Sequence, residues 1–575
     1  MTYRIAENGE SAFHIVAHQY ADECVRHAAA ELQKYLLRAT GAAIPYFSDR
    51  CPRRGPELRV GPCVRGNADP ALPEEGFSIR ADGEDIVISG GSSRGVLYGV
   101  YGFLERFCGF QCFTKDAEVL AQTDLLEIDL TEITAAPAFD FRESYSRDAF
   151  DGDFCAKNHF NSSLADLSRA RGGRVKWFNF HHSFCDLVPE AQYFDEHPEY
   201  YSEIDGKRVP DSQLCLTNPE VARIAERTLR GWIADNPEAR VFSVAQNDNT
   251  RRCTCKNCLR VEQEEGSAAG PVIRFVNGLA DAIRDDHPDV LLHTFAYKHT
   301  VAAPKTAARE NVIVRLCSFY CRFDEPFETQ AREEPDGDAA VFVNALRDWK
   351  ARAKQLYVWD YTVNYWNYLV PFFNFHALAE NVRFFRDTGV RGLLEEGNFA
   401  YGGGACFDDL KSYLIAKLLW DPDADVDTAI RRFTDGVYGK ASGAILRDYL
   451  SMMERACCSK PLGIHQFSDA PWITDGLVDE GERLFAAALD AAENETCRKR
   501  IEREQLSIRF LRLTRLPLDA PGRAEAIEAF FRDLKRFGIT EIRERRSLAV
   551  IKKEMLESRY LRDRTQEYKL YYIMQ

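Results

Sequence analysis

No apolar run in this chain approaches the roughly 20 residues needed to cross a bilayer as a helix, so no membrane partner is expected. Basic residues are not in excess either: 74 Lys and Arg stand against 89 Asp and Glu, a net charge of −15. That balance argues against nucleic acid, whose phosphates call for clustered cations. The opening residues, MTYRIAENGESAFHIVAHQY, lack a charged start followed by an apolar stretch, so no secretory leader and a cytoplasmic location are expected. A GxGxxG phosphate loop, an HExxH zinc helix and a GxSxG nucleophile elbow are all missing, as are internal repeats and low-complexity tracts. Cysteine is plentiful at 17, but it is scattered singly apart from one cluster and the pair Cys457 and Cys458. An odd count fits a complete disulfide framework poorly, and reduced thiols of a cytosolic protein are the simpler expectation.

What is present is an ordinary globular composition, 45% hydrophobic and 28% charged, in 575 residues. That length exceeds one core and implies two or three domains. Residues 1–135 read as a small α/β domain. Strands are expected at 13–16, 58–60, 77–79 and 86–88, with DGED as a hairpin turn between the last two. Val25, Ala28, Leu32 and Leu36 recur at helical spacing over 21–40, with Gly41 where a C-terminal cap belongs. A second helix carries Leu97, Tyr101, Leu104 and Cys108 in one stripe, and Gly95, Gly99 and Gly102 suggest close packing on the sheet. Residues 136–420 alternate in the manner of a (β/α)8 TIM barrel. Strand-like runs fall at 176–180, 240–244, 290–296, 312–316, 355–358 and 390–394, and the clearest helices at 222–234, 272–284, 339–354 and 375–388. From 421 to 575 the strand signal fades into a helical region, with long periodicity over 477–516 and charge runs that read as solvated faces.

The chain is expected to be organised around VFSVAQNDNTRRCTCKNC, residues 241–258. A strand-length apolar run breaks off there into Gln246, Asn247, Asp248 and Asn249, and in α/β folds chemistry gathers at the carboxyl ends of strands. Other strand ends are also polar. Residues 176–180 lead to His181 and His182, 355–358 to Trp359, Asp360 and Tyr361, and 390–394 to Glu395, Glu396 and, past Gly397, Asn398. Asp248, Asp360, Glu395 and Glu396 are the candidate catalytic acids, because glycoside hydrolysis needs one protonated and one charged carboxyl group about the scissile bond. Successive strand residues point to opposite faces, so only one of the twin glutamates is expected to face the pocket. Trp359, Tyr361, Tyr365 and Trp366 could stack on sugar rings, while His181, His182, Gln246, Asn247 and Asn398 could bind hydroxyls. Each has a plainer alternative: an Asx-rich turn at Asp248, a turn cap at Asp360, a solvated acidic pair, aromatics belonging to the core.

Cys253, Cys255 and Cys258 can share a structural zinc, with a fourth ligand supplied from elsewhere in the fold; the alternative is three reduced thiols in a tight loop. No cofactor is expected for catalysis.

Several segments carry a family resemblance. AAAELQKYLLRATGAAIP and GFSIRADGEDIVISGGSSRGVLYGVYGFLERFCGFQCF resemble the α/β domain that precedes the barrel of family 20 hexosaminidases and family 67 α-glucuronidases. HHSF, YFDEHPEYYSEIDGKR, QLCLTNPEV, QNDN, CTCKNC, VWDYTVNYW and GLLEEGNF resemble the domain-of-unknown-function family 4838, part of which is classed as glycoside hydrolase family 163, endo-β-N-acetylglucosaminidases acting on N-glycans. The resemblance runs from about residue 10 to about 450. It implies a hydrolase acting on N-acetylglucosamine-containing oligosaccharides, retaining and substrate-assisted: the acetamido oxygen attacks the anomeric carbon, one carboxylate orients the amide, and a neighbouring acid protonates the leaving group. Family 20 places an Asp-Glu pair after a barrel strand, whereas Asp248 is followed by Asn249. The only adjacent acidic pair at a clear strand end is Glu395 and Glu396, to which the acid and orienting roles therefore fall. The family 67 likeness implies instead an inverting α-glucuronidase, with Asp248 as acid and Asp360 or Glu395 as base. A non-catalytic carbohydrate-binding barrel is the third expectation.

Overall fold

The computed structural model describes residues 2–65, 71–398, 402 and 404–558; residues 559–575 of the C-terminal region lie outside them. The chain divides into two units. Met1–Arg174, Asn398–Ser451 and Asp479–Leu506 form the first; Val175–Gly397, Met452–Val478 and Ser507–Gln575 form the second.

In the first unit the helix Glu23–Thr40 begins where Asp22 accepts from the Val25 amide, and it ends at Gly41 with φ 73°. Val25, Ala28, Leu32 and Leu36 are all buried, as their spacing predicts. The adjoining sheet has six strands in the order Ile133–Ala135, Phe77–Asp82, Asp85–Gly90, Glu57–Val60, His14–Ala17, Tyr46–Ser48. The DGED turn is a tight hairpin, with Asp82 paired to Asp85 and Gly83 at φ 65°. The helix Ser93–Cys108 lies close on this sheet: a Cβ added at Gly99 would sit 2.8 Å from Ile88 Cγ2 and 3.1 Å from Phe77 Cβ. A buried knot joins Glu75 to Arg94, Arg142 and Asn161. Burial alone would raise the Glu75 carboxyl, but Arg142 and Arg94 outweigh it and hold the group down at about 2.

The second unit contains six parallel strands, in sequence order across the sheet: β1 (Trp177–Phe178), β2 (Val241–Ser243), β3 (Leu291–Ala296), β4 (Val312–Cys317), β5 (Gln355–Tyr361) and β6 (Gly392–Glu396). All six match the runs expected from sequence. The intervening helices Pro219–Asp235, Ala269–Ile283, Asp338–Lys350 and Phe375–Thr388 match as well. Val241, Phe242, Leu292, Val314, Leu356 and Leu393 are buried at 2% exposure or less, which is why these strands read as continuous apolar runs. The architecture is α/β around a parallel sheet. Among the described residues the strand pairing does not close into an eight-stranded ring. From Asp408 onward the described elements are all helices, and among the described residues no helix is long and apolar enough to cross a membrane.

Candidate active site

Every strand of the parallel sheet runs in the same direction, so their carboxyl ends lie at one edge, where α/β folds bind ligands. His181 and His182 follow β1; Gln246, Asn247 and Asp248 follow β2; Tyr297 and Lys298 follow β3; Ser318 and Phe319 follow β4. Trp359 and Asp360 stand near the end of β5, and Glu396 is the last residue of β6.

The twin glutamates part company. Strand alternation sends Glu395 to the same face as its register partner Asp360, and Glu396 to the face shared with Tyr361. Glu396 is partly open to solvent, and Trp359 Nε1 donates to its Oε2 at 2.6 Å. Burial pushes its carboxyl up to about 8, with help from the negative charges of Glu544 and Asp248 and against the hydrogen bonds from Trp359 and Tyr365. At neutral pH it is therefore a protonated acid. Glu395 and Asp360, by contrast, are 0% and 1% exposed. Ser318 Oγ donates to Asp360, while neither Glu395 oxygen has a hydrogen-bond partner among the described residues. Burial pushes Asp360 up to about 7, and burial together with Asp360 raises Glu395. The negative charge of Asp248 contributes, as the smallest of the causes, to raising Glu396, whereas Asp360 and Glu395 lie on the other face of the sheet.

The Asp248 loop is held by amides. Gln213 Nε2 donates to the carbonyl of Asn247 at 2.8 Å and to Asn249 Oδ1 at 2.9 Å, and the Asn247 amide donates back to Gln213 Oε1 at 2.8 Å. Asn247 Nδ2 donates to the Ser212 carbonyl, and Gln246 Nε2 to the Tyr297 carbonyl. Gln246 and Asn247 are therefore occupied in building the loop, and what they present is the half-exposed Asp248 carboxylate. Its partner is a lysine: the buried Lys298 ammonium donates to Asp248 Oδ1 at 2.8 Å. Burial would raise Asp248, but Lys298, His182 and Tyr297 together hold it below the usual aspartate value. The site thus holds one neutral and one charged carboxyl group, a division of labour that environment alone imposes.

His182 Nδ1 bonds the Gln246 carbonyl, which assigns the proton to that nitrogen. Nε2, 4.0 Å from Asp248 Oδ1, is left to accept from a ligand hydroxyl. Burial lowers both histidines, His181 to about 4, so both rings are neutral at pH 7. Of the four aromatics singled out, Trp359, Tyr361, Tyr365 and Trp366 are only 6–7% exposed. Tyr365 Oη donates to the Glu396 carbonyl at 3.2 Å, and Trp366 stacks under Arg543 at 3.9 Å. Their main task is to build walls. Trp177, Phe319 and Tyr320 are the rings nearer solvent. The buried Arg315 guanidinium lies 4.4 Å from the Trp177 centroid and 4.5 Å from that of Phe180. Asn398 is buried and belongs to the first unit.

A second cluster lies in the same unit. Cys253, Cys255 and Cys258 meet Cys215, and the four buried Sγ atoms all lie within 4.8 Å of one another.

A family model described as Domain of unknown function (DUF4838) matches residues 112–451. The chain belongs to the DUF4838 family. The match spans Glu396, the Asp248 loop and all four cysteines of the cluster, whereas Glu544 and Arg543 of this DUF4838 protein lie beyond it. No curated protein matches the chain in sequence. Among solved structures, the DUF4838 chain resembles BtGH115A, a family GH115 4-O-methyl-α-glucuronidase with specificity for decorated arabinogalactans, at TM-score 0.59 and 11% identity over 95% of this chain and 81% of that one. The GH20 β-N-acetylhexosaminidase from Streptomyces coelicolor A3(2) aligns at TM-score 0.44 and 15% identity over 77% of this chain and 93% of its own. CpGH84D aligns at 0.46 and 11% over 97% of each chain.

Sequence reading missed Tyr297, Lys298, Cys215 and Glu544. Lys298 had a usable signal, since it stands two residues after β3, at the same edge of the sheet as Asp248 and Glu396; its φ of 52°, unusual for lysine, is visible only in the fold. Cys215 lies 38 residues before Cys253 (253 − 215) in a loop with no periodicity.

Proposed function

We propose that this protein is a glycoside hydrolase in which Glu396 protonates the departing oxygen and Asp248 is the charged carboxylate. The observation that carries this reading is the opposite displacement of the two groups: Glu396 is pushed up to about 8 while Asp248 is held down. Glycosidic cleavage requires such a pair. We read the six parallel strands as the greater part of a (β/α)8 barrel with the site on its C-terminal rim.

The substrate class we favour is an N-acetylglucosamine-containing oligosaccharide, on the family 163 resemblance. In that scheme Asp248, fixed by Lys298 and Tyr297, orients the acetamido group while Glu396 acts as acid. One observation supports a second reading, inversion at an α-glucuronide. Glu395 faces away from Glu396, so the acid has no adjacent acidic partner and pairs with a group from another strand, as the family 67 likeness implies.

Glu396→Gln is expected to lower kcat by about 10²–10⁴-fold on a substrate with a poor leaving group and far less on a dinitrophenyl glycoside, whose leaving group needs no proton. Asp248→Asn should impair both. Aryl β-N-acetylglucosaminides, aryl α-glucuronides and N-glycan fragments assayed in parallel, with the product anomer read by NMR, separate the two readings. Calorimetric sugar binding without turnover of any of them would overturn both and leave a carbohydrate-binding protein.

A further inference from the structure

We propose that Cys215, Cys253, Cys255 and Cys258 bind one structural zinc ion that fixes the loop carrying Asp248. A tetrahedral Zn–S4 centre with bonds of 2.3 Å has sulfur–sulfur edges of about 3.8 Å. Here Cys215 Sγ lies 3.7 Å from Cys255 Sγ and 4.0 Å from Cys258 Sγ, and no pair among the four exceeds 4.8 Å. A disulfide would bring two sulfurs to about 2.05 Å and leave the other two unexplained. Tetrahedral sulfur ligation selects zinc or iron–sulfur chemistry over hard cations.

The surroundings suit an anionic tetrathiolate. The Glu203 amide donates to Cys253 Sγ at 3.3 Å, Arg208 Nη1 approaches the same sulfur at 3.7 Å, and Thr217 Oγ1 lies 3.2 Å from Cys258 Sγ. Such donors orient thiolates and offset their charge. The hairpin Glu203–Ile204/Lys207–Arg208 and the helix Lys256–Glu265 thereby converge on one point.

The cluster is also continuous with the active-site loop. Cys215 stands two residues after Gln213, whose amide clamps Asn247 and Asn249, and Cys253 stands five residues after Asp248. The Thr254 amide donates to the Glu203 carbonyl at 2.8 Å. A metal joining Cys215 to the cysteines at 253–258 would therefore close both ends of the segment that presents Asp248. This proposal concerns metal content and loop order, and it stands or falls independently of the glycosidase reading.

The test is elemental analysis of the purified full chain, made without a histidine tag in zinc-supplemented medium. About one zinc per chain is expected, with cobalt(II) substitution giving the intense visible bands of a tetrahedral thiolate site. Cys215→Ser should lower zinc content and raise hydrogen exchange over 244–258, while Cys51→Ser, outside the cluster, should leave both unchanged. Because a cluster variant can fail to fold, the wild-type chain is also treated with a mercurial, which should release the zinc and raise exchange in the same segment. A folded wild-type chain without metal, iron in place of zinc, or a Cys215–Cys255 disulfide in peptide maps would each overturn the proposal.

Discussion

Lys298 leads the groups that hold Asp248 below the usual aspartate value, ahead of His182 and Tyr297, and its removal should show on the acid side of the pH profile. Its ammonium is buried, although the carboxylate 2.8 Å away is half exposed, so replacing it removes a stabilising charge that solvent screens only in part. Lys298→Met should move the acidic limb of kcat/KM to higher pH, because Asp248 would then need a higher pH to ionise. The alkaline limb should stay near 8, where Glu396 loses its proton; the acid form is the active one below that value and is depleted above it. A profile in which both limbs shift equally, or neither does, would contradict the assignment of separate roles. At this scale the sequence was only partly legible. Strand alternation predicts that the twin glutamates split, and they do, but which of them faces the open side depends on the β5–β6 register. The place of Lys298 after β3 was legible, but its pairing with Asp248, reached from a left-handed backbone, joins residues 50 apart and has no local pattern.

Within elements, two predictions follow from packing and burial. Asp360 and Glu395 are register partners on β5 and β6, sealed on the face away from Glu396. The Asp360 carboxyl is raised from 3.8 to about 7 by burial, so across that interval the folded chain holds a proton that the unfolded chain has released. Its contribution to stability therefore falls as pH rises from about 4 to about 7. Asp360→Asn should flatten the wild-type decline measured by urea unfolding over that window; an unchanged slope would mean that the pair is not neutral in the fold. Helix glycines give the second. Alanine is a better helix former than glycine by about 1 kcal/mol, so Gly231→Ala, with nothing within 4 Å of the new Cβ, should stabilise by up to that amount. Gly99→Ala meets Ile88 and Phe77 instead, and overpacking of about 1–3 kcal/mol should outweigh the propensity gain, lowering the urea midpoint. The close approach of this helix was legible from glycines at 95, 99 and 102. The six parallel strands were legible because burial on both sides writes itself as continuous apolar runs. Missed elements such as Thr2–Glu7 and Leu125–Asp129, which pair antiparallel, are short, half-exposed and more than a hundred residues apart, so no local pattern joins them.

At the scale of the whole molecule, the net charge of −15 bears on which of the two substrate readings holds. A charge of that size repels an anionic ligand over roughly a Debye length, about 10 Å at 0.1 M salt and about 30 Å at 0.01 M. An anionic α-glucuronide should therefore meet the protein faster as salt rises, whereas a neutral N-acetylglucosaminide should be indifferent, because long-range fields change encounter rates only for charged partners. Lys298 does little to reverse this, since its charge is matched by Asp248. Arg315 is a further cation on this sheet, beneath Trp177, Phe180 and Trp359. If the family 163 likeness names the substrate, kcat/KM on an aryl N-acetylglucosaminide should stay within about twofold from 0.01 to 0.15 M salt. If the inverting reading is right, kcat/KM on an aryl glucuronide should climb over the same range. A glucuronide rate that falls with salt would show that a local positive field, rather than the charge of the chain, governs approach to Glu396.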